Sequence, residues 1–562
     1  MSNIMKDTVE WIRCRVRNAS TWRRPECGAA PFALLSAAAI VLLNNHKLFS
    51  LVRACADLSS LSGLGCLATI FLFITGMVGL AFLLLGHPYV LKPIVIVTLL
   101  LSSVLSYFTR EMGVIFDLSM LQNIVENVRD KNRREASELL SLRLAIHVFL
   151  VGVLPSMLVL IPRIAYGTVR REVVMRLRYA GGFAVVTAVL FLANFRSLSY
   201  LTREHHAVRC YATPTYALNS LRKLATSSWG SKTIPFQEIG TDAVQRKTGR
   251  ARTIGVLVVG ETARADHFSL NGYGRNTNPR LGLRPLLNYP DVRAAGTSTS
   301  YSVPYIFSFL GKRFTTQRAA NQSNLLDVLS RAGVQVVWID NNSGSKRVAD
   351  RVPHIDLHGH EDPTSAYYGQ GGYYDEALVG EMERQIESTE GDLLIVLHTM
   401  GSHGPAYYRR YPPAFEVFKP CCKDSSPQQS PQQEVINAYD NSILYTDFVL
   451  DRLISALESR RGTDNSFLFY VSDHGESLGE NGVYLHGLPD LLAPKAQTHV
   501  PMFAWLSPRI VADHSLDYPG LQQRTSGPCS HDNVAPTILG LFEVVTDLYS
   551  RELDLCHPVK VP

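Results

Sequence analysis

Cysteine is scarce in this chain of 562 residues: nine in all, with no C-x-x-C pair. The nine make no metal-binding pattern. Among them Cys14 and Cys27 lie in the basic N-terminus and Cys66 in an apolar run, while Cys210, Cys421, Cys422, Cys529 and Cys556 fall in the later part. Vicinal Cys421-Cys422 are poorly placed to bond to each other, so the count allows one or two disulfides whose connectivity the sequence does not specify. Charge is sparse as well, at 19% of residues and a net +6. Much of the positive charge sits in arginine-rich patches beside apolar segments. That argues for membrane topology and against nucleic-acid binding. No internal repeat is present. Residues 1–30 contain no apolar core followed by a small-residue cleavage site, so no removable signal peptide is expected there.

The mean hydropathy of +0.04 conceals a split. The first 200 residues are mostly apolar and the remainder has the composition of a soluble domain. Five segments, 31–52, 61–85, 89–108, 143–166 and 178–199, approach the roughly 20 residues that a bilayer requires. The first is interrupted by Asn44-Asn45-His46-Lys47. A single such run would read as a buried core helix; five in succession read as membrane spans. Arg13, Arg15, Arg17, Arg23 and Arg24 place the N-terminus in the cytoplasm. Arg163, Arg170, Arg171, Arg176 and Arg178 place the connection between spans four and five there too. An odd number of spans then puts the C-terminal part outside, in the periplasm of a Gram-negative cell. The expected order is a cytoplasmic N-terminus (1–30), a five-helix transmembrane domain (31–200), a periplasmic linker with an interfacial helix (201–250) and a periplasmic catalytic domain (251–562). Tyr211 to Leu224 is the candidate interfacial helix. The connection 109–142 includes the amphipathic stretch Ser119–Glu126, and residues 423–433 read as a flexible surface loop.

From residue 251 apolar runs alternate with helical stretches. Thr253–Val259, Val334–Ile339, Leu393–Leu397 and Phe467–Val471 read as buried strands. Residues 322–332, 372–388 and 434–459 read as helices. The alternation predicts an α/β domain with a largely parallel sheet. In such sheets ligands bind at the carboxyl ends of the strands, and that is where chemistry-bearing residues collect. Asp473-His474 follows one strand; the adjacent carboxylate and imidazole suit zinc or manganese, although a helix-capping acid and a surface histidine would explain this pair equally well. Glu261 follows another strand. His403 lies in a loop that Gly401 and Gly404-Pro405 should expose, and His486 comes shortly after Asp473-His474. Gly296–Pro304 is rich in hydroxyls ahead of a helical run at 302–312. An ordinary Ser/Thr N-cap accounts for it, and so does a hydroxyl nucleophile activated by a metal. Four strand-end groups and a hydroxyl together are the parts of an alkaline-phosphatase-like site. A sulfatase would need Cys- or Ser-x-Pro-x-Arg, and this stretch has neither the cysteine nor the following arginine. His354, His358 and His360 read as an exposed loop, and Asp532, ahead of an apolar helix, as an N-cap.

Six stretches carry a family resemblance: Val259-Gly260-Glu261-Thr262-Ala263-Arg264, Gly296–Pro304, Asp340-Asn341-Asn342-Ser343, His403-Gly404-Pro405-Ala406-Tyr407, Asn437-Ala438-Tyr439-Asp440-Asn441, and Ser472-Asp473-His474-Gly475-Glu476-Ser477-Leu478-Gly479-Glu480-Asn481-Gly482. With Met120-Leu121-Gln122-Asn123, they make the chain resemble the bacterial phosphoethanolamine transferases that decorate lipid A and other lipopolysaccharide, the group that includes transferable colistin- and polymyxin-resistance enzymes. The resemblance implies a zinc-dependent ping-pong reaction. Thr299 would attack phosphatidylethanolamine, release diacylglycerol and carry phosphoethanolamine to lipid A, a core sugar or a periplasmic glucan. By the same carry-over Glu261, Thr299, Asp473 and His474 bind the principal zinc, and His403 and His486 hold a second zinc or the phosphate. Asn342, Ser343 and Lys346 would line the head-group pocket, with Gln122, Asn123 and Glu126 from the membrane side. Relatives of the lipid A type carry several disulfides in the outer domain, one flanking the nucleophile; here the flanking positions are Ala295 and Tyr305. Two other readings use the same parts: a glycerol-phosphate transferase of the lipoteichoic-acid-synthase kind, and a non-catalytic membrane protein that binds a phospho-head group.

Overall fold

A computed structural model describes residues 24–556, apart from 56–60, 119, 122–123, 126–138, 196–197, 199–205, 230–234, 248–250, 359–361, 371 and 461. The chain divides into two compact units, one of 1–110 with 142–219 and one of 111–141 with 220–562.

The first unit is helical: α1 (Ala29–Asn44), α2 (His46–Cys55), α3 (Leu61–Leu84), α4 (Leu91–Met112), α5 (Leu142–Leu160) and α6 (Val169–Ala193). By length and composition α3, α4, α5 and α6 can each cross a membrane, and α1 with α2 supplies a fifth span bent by 67°. The asparagines that interrupt the apolar pattern cause the bend and make it tolerable. Asn45 leaves the helical region, and both side chains bond back four residues onto the last helical turns, Asn44 Nδ2 on Ile40 O and Asn45 Nδ2 on Val41 O, both at 3.0 Å. Asn45 also exchanges two hydrogen bonds with the Thr213 backbone, at 2.7 and 2.8 Å. In α5 a π-helical turn, Phe149–Val153, precedes Pro155 and absorbs the amide that proline lacks. The fifth apolar segment begins earlier than its hydropathy indicates. Arg170, Arg171, Arg176 and Arg178 lie on α6 itself and not in a connection. Arg176 binds the carbonyls of Leu83 and Gly86 around the end of α3, and Lys92 does the same for Leu160 and Pro162 around the end of α5. A further helix, α7 (Thr215–Trp229), covers most of the stretch read as interfacial.

The second unit is built on a seven-stranded sheet. Its strands are β1 (Thr253–Gly260), β2 (Leu286–Tyr289), β3 (Gln335–Asp340), β4 (His354–Asp356), β5 (Leu393–His398), β6 (Asn465–Ser472) and β7 (Met502–Leu506), in the order β2-β7-β6-β1-β5-β3-β4. From β6 to β4 all pairs are parallel, while β7 and β2 close the other edge antiparallel. The four strands read from sequence are the four central ones. They are continuous apolar runs because both faces are covered. Along β1, Ile254, Val256 and Val258 join one core, whereas Leu257 and Val259 join the other. Helices α9 (Leu325–Arg331) and α12 (Val534–Leu541) cover the second face; α10 (Ala377–Ser388) and α11 (Gln432–Glu458) cover the first. Helix α8 spans Thr299–Ile306, so it starts three residues ahead of the expected run and stops six short of its end. Pro304 is its sixth residue, too far in for a Pro-initiated start.

Several local expectations change on folding. No disulfide joins the described cysteines; Cys27, Cys66, Cys421, Cys422, Cys529 and Cys556 carry free thiols. The 423–433 stretch lies at the surface as expected, although Ser426 and Pro427 within it are buried. His354 belongs to strand β4. Ser530, not Asp532, caps the turn before α12, since its hydroxyl accepts the Asp532 amide.

The sheet centre carries the site, so loosening it should be felt as stability. Leu397, fully buried one residue before the end of β5, is the probe. Leu397→Ala is expected to cost about 2–5 kcal/mol, read as a lower thermal midpoint of the detergent-solubilised protein; an unchanged midpoint would contradict this packing.

Candidate active site

The parallel register builds the site. Ser472 pairs with Gly260 and His398 with Val259, so the residues that leave β1, β5 and β6 emerge side by side. Glu261 and Asp473 each follow the last residue of a strand, and the Asp473 amide still bonds to Gly260 O at 2.9 Å. The ligand atoms of Glu261, Asp473 and His474 lie within 4.8 Å of one another, and all three residues are buried. Thr299, the first residue of α8, brings its Oγ1 to 3.3 and 3.2 Å from the Glu261 oxygens and 3.3 Å from His474 Nε2. The four residues named for the principal metal are therefore brought together from three separate chain segments.

Their surroundings set their charge and orientation. The turn after Glu261 holds Thr262 at φ +53°, a left-handed conformation that a β-branched residue adopts only under constraint. The constraint is visible: the Thr262 amide donates to Asp473 Oδ1 (3.1 Å), the Ala263 amide to Ser472 Oγ (2.8 Å), and Tyr439 Oη donates to Thr262 O (2.7 Å) while accepting from the Arg264 amide (2.9 Å). Gly401, at φ +52°, passes so close that a Cβ there would lie 2.6 Å from Glu261 O, so only glycine fits. His474 Nδ1 sits 2.9 Å from Gly475 O. A carbonyl can only accept, so Nδ1 carries the proton and Nε2 presents its lone pair. Burial is the largest influence on this imidazole and, against the pull of Asp473, takes its pKa down to about 4. It is neutral at physiological pH.

Acceptor groups thus converge on one buried point: two carboxylates and an imidazole lone pair. Asp473 Oδ2 is buried there without a hydrogen-bond donor. A buried charge in that condition is costly unless a cation meets it. Two carboxylates, a neutral histidine and a hydroxyl form a donor set that fits zinc.

His403 and His486 lie alongside. The ring of His486 is 4.3 Å from that of His474 and 5.4 Å from that of His403. His403 is half-buried, not displayed on an exposed loop. Burial first, then the neighbouring His486, Arg410 and His474, hold its imidazole well below the usual range. His486 Nδ1 is bound by Glu476 Oε2 at 2.7 Å, and Tyr407 Oη donates to the other Glu476 oxygen at 2.7 Å. Asn342 turns inward: its Nδ2 donates to Glu261 Oε2 (2.9 Å) and Thr399 O (2.7 Å), and its Oδ1 accepts the Ser343 amide. Ser343 and Lys346 follow in the same turn, with Lys346 Nζ on Ser343 O at 2.7 Å. Gln122, Asn123 and Glu126 lie outside the described residues. Their described neighbour Met120 faces Gly487, beside His486, with Sδ 3.7 Å from where a Cβ would stand.

Residues without a sequence-based role complete the site. Glu476 orients His486. Asp340 receives Trp338 Nε1 (2.8 Å) and His398 Nδ1 (3.1 Å), and His398 Nε2 faces Glu261 Oε2 at 4.0 Å. Burial would raise the Asp340 carboxyl, but His398 and these hydrogen bonds hold it well below the usual carboxylate range. Gln497 braces the loop of His486 through Ser477, Leu485 and Leu488. Glu476 stood within a quoted motif two residues past His474, which was the available signal. Asp340 likewise opened the stretch Asp340-Asn341-Asn342-Ser343, His398 had only its strand-end position, and Gln497 had no signal.

Comparison with known proteins agrees with this geometry. A family model described as Sulfatase matches residues 254–544, and one described as Phosphoethanolamine transferase EptA/EptB matches residues 74–228. The chain is 37% identical to the phosphatidylethanolamine transferase Mcr-2 of Escherichia coli, over 92% of this chain and 95% of that one. It is 35% identical to the phosphoethanolamine transferase EptA of Salmonella typhimurium, over 96% and 98%. Its structure matches the integral membrane protein lipooligosaccharide phosphoethanolamine transferase A of Neisseria meningitidis with a TM-score of 0.89 and 31% identity, covering 95% of this chain and all of that one. These matches run along nearly the whole length of this chain, through the helical membrane region and the alkaline-phosphatase-type sheet, and this chain belongs to the phosphoethanolamine transferase family.

Proposed function

We propose that this protein moves phosphoethanolamine from phosphatidylethanolamine, through a covalent intermediate on Thr299, to lipid A or a related glycan on the periplasmic side of the inner membrane. The observation that carries this is the position of Thr299 Oγ1, about 3.3 Å from both a carboxylate and an imidazole lone pair at the start of a helix. The donor is supported by the name of the Mcr-2 relative, a phosphatidylethanolamine transferase. The acceptor is supported by the lipooligosaccharide in the name of the Neisseria relative. Both favour phosphoethanolamine over glycerol phosphate as the group transferred. The arginine pattern supports a cytoplasmic N-terminus.

Glu261, Asp473, His474 and Thr299 would hold zinc, which when bound lowers the pKa of a coordinated hydroxyl and screens charge on a phosphoryl oxygen. The chain's own residues do the rest. Asn342 and the Gly401 turn fix the Glu261 carboxylate, which takes the Thr299 hydrogen bond and so aims a lone pair of Oγ1 outward. No side-chain bond from Ser298 caps α8; the Tyr301 amide bonds to Ser298 O at 3.1 Å, which leaves the Thr299 and Ser300 amides at the helix start for the phosphoryl oxygens. In the first half-reaction a bond forms from Oγ1 to phosphorus as the bond from phosphorus to the glycerol oxygen breaks. Diacylglycerol leaves as the alcohol with one proton. His403 and His486, the latter oriented by Glu476, stand on the other side of His474, where they would hold the transferred phosphoryl group or a second zinc. In the second half-reaction the acceptor oxygen displaces Oγ1, which regains its proton. Ser343 and Lys346, with Gln122, Asn123 and Glu126, would contact the head group.

Two measurements test the reading. Intact-mass analysis after incubation with phosphatidylethanolamine is expected to show a phosphoethanolamine-sized adduct on the wild type and none on Thr299→Ala, with transfer reduced about 10³-fold or more; an adduct on the alanine variant would refute the nucleophile. Asp473→Ala, analysed by plasma mass spectrometry, should retain far less zinc than wild type, since a lost ligand leaves the remaining donors incomplete. Wild-type zinc content in that variant would remove Asp473 from the metal site.

A further inference from the structure

The nucleophile must be held still as well as activated. A displacement of about 1 Å costs on the order of 100-fold in rate. Thr299 sits at a junction, with an extended segment before it and the short helix α8 after it. Much of what ties the preceding segment down leads to other loops: Ala294 N–H bonds to Thr498 O at 2.8 Å, Thr297 Oγ1 donates to Leu488 O at 2.7 Å, and Gly487 N–H donates to Thr297 O at 2.8 Å.

One adjacent pair reaches both sides of Thr299. His531 is 1% exposed. Its Nδ1 accepts the Ala295 amide at 3.2 Å, and its Nε2 donates to Ser472 O at 3.0 Å. An amide can only donate and a carbonyl can only accept, so the Nε2–H tautomer is satisfied at both ends, and the ring spans from the nucleophile segment to the last residue of β6, next to Asp473. The following residue, Asp532, accepts the Tyr305 hydroxyl through Oδ1 at 2.7 Å. Tyr305 is the seventh residue of α8, and its ring also packs on Phe314, centroids 4.9 Å apart. The pair is itself rigid. Ser530 Oγ accepts the Asp532 amide and bonds Asp532 Oδ2 at 3.0 Å, Asn533 Oδ1 accepts the Ser530 amide at 2.8 Å, and α12 follows directly into the core.

We propose that His531 and Asp532 are positioning residues for Thr299: as one rigid pair they clamp Ala295 and Tyr305, on either side of it, to the strand end that carries Asp473. This rests on the reading of Thr299 as the nucleophile. The pair touches neither substrate nor metal ligand. It sets where Oγ1 stands and does not alter how strongly donor or zinc binds. No described thiol takes part in the clamp, so its hold does not depend on redox state.

The test is the single-turnover rate of adduct formation on full-length protein with phosphatidylethanolamine, beside zinc content, for Tyr305→Phe, His531→Leu, His531→Gln and Thr299→Ala. Tyr305→Phe, which keeps the ring on Phe314, is expected to lower the maximal rate about tenfold, with the half-saturating donor concentration within about twofold and zinc at wild-type content. His531→Leu should lose about 100-fold, and His531→Gln, whose amide can accept at one end and donate at the other, should recover about tenfold of that loss. Wild-type rates in Tyr305→Phe and His531→Leu, with Thr299→Ala inactive, would overturn the clamp and leave the nucleophile standing. An adduct on Thr299→Ala would overturn the nucleophile instead. Zinc lost in step with rate would assign the pair to the metal site and equally overturn the proposal. If His531→Leu does not fold, the rate and zinc content of Tyr305→Phe decide.

Discussion

Two carboxylates, buried next to each other, govern the second unit. Glu261 and Asp473 stand side by side because β1 and β6 run parallel with Gly260 opposite Ser472, and neither can move without disturbing the centre of the sheet. Like charges at that distance from water are unfavourable unless a cation and directed hydrogen bonds meet them. The surrounding structure supplies the hydrogen bonds: the Thr262 amide to Asp473, Asn342 and Thr299 to Glu261. What remains unmet is an Asp473 oxygen, beside the Nε2 of His474, and these are donors that zinc prefers. The Thr299 hydroxyl is placed by the same arrangement that would hold a metal.

Around this centre each functional side chain is fixed by a second buried polar group. Glu476 holds His486, Asp340 holds His398, Tyr439 holds the strained turn after Glu261, and His531 with Asp532 holds the segment of Thr299. Buried groups of this kind are costly when partly satisfied and rigid when fully satisfied. Rigidity is what phosphoryl transfer requires of a protein, since its contribution is mainly positioning and electrostatics. The helical unit follows a related rule in an apolar setting. Asn44 and Asn45 bind carbonyls of the helix turns just before their bend, and Arg176 and Lys92 bind the carbonyls at the ends of α3 and α5. Polar residues among these apolar helices thus serve the backbone, which in a membrane has no water to turn to.

The sequence by itself determined the class of the protein, the existence of its central strands and which candidate residues stand at their ends. Those properties are local. Strands covered on both faces are continuous apolar runs, and β1, β3, β5 and β6 are read within two residues at either end; Glu261 and Asp473 follow directly from where two of those runs stop. The motifs around Glu261, Thr299 and Asp473-His474 are dense enough to identify the family. Tertiary structure alone decided the rest. It set the strand order, the start of α8 at Thr299, the carriage of Arg170 to Arg178 on α6, the inward turn of Asn342 onto Glu261, the half-burial of His403, and the pairing of His486 with Glu476. It also placed His531, more than 230 residues beyond Ala295, against that residue's amide. Such partnerships are made across long separations between side chains whose neighbours in sequence carry no periodic signal. They exist only once the parallel register has brought the strand ends together.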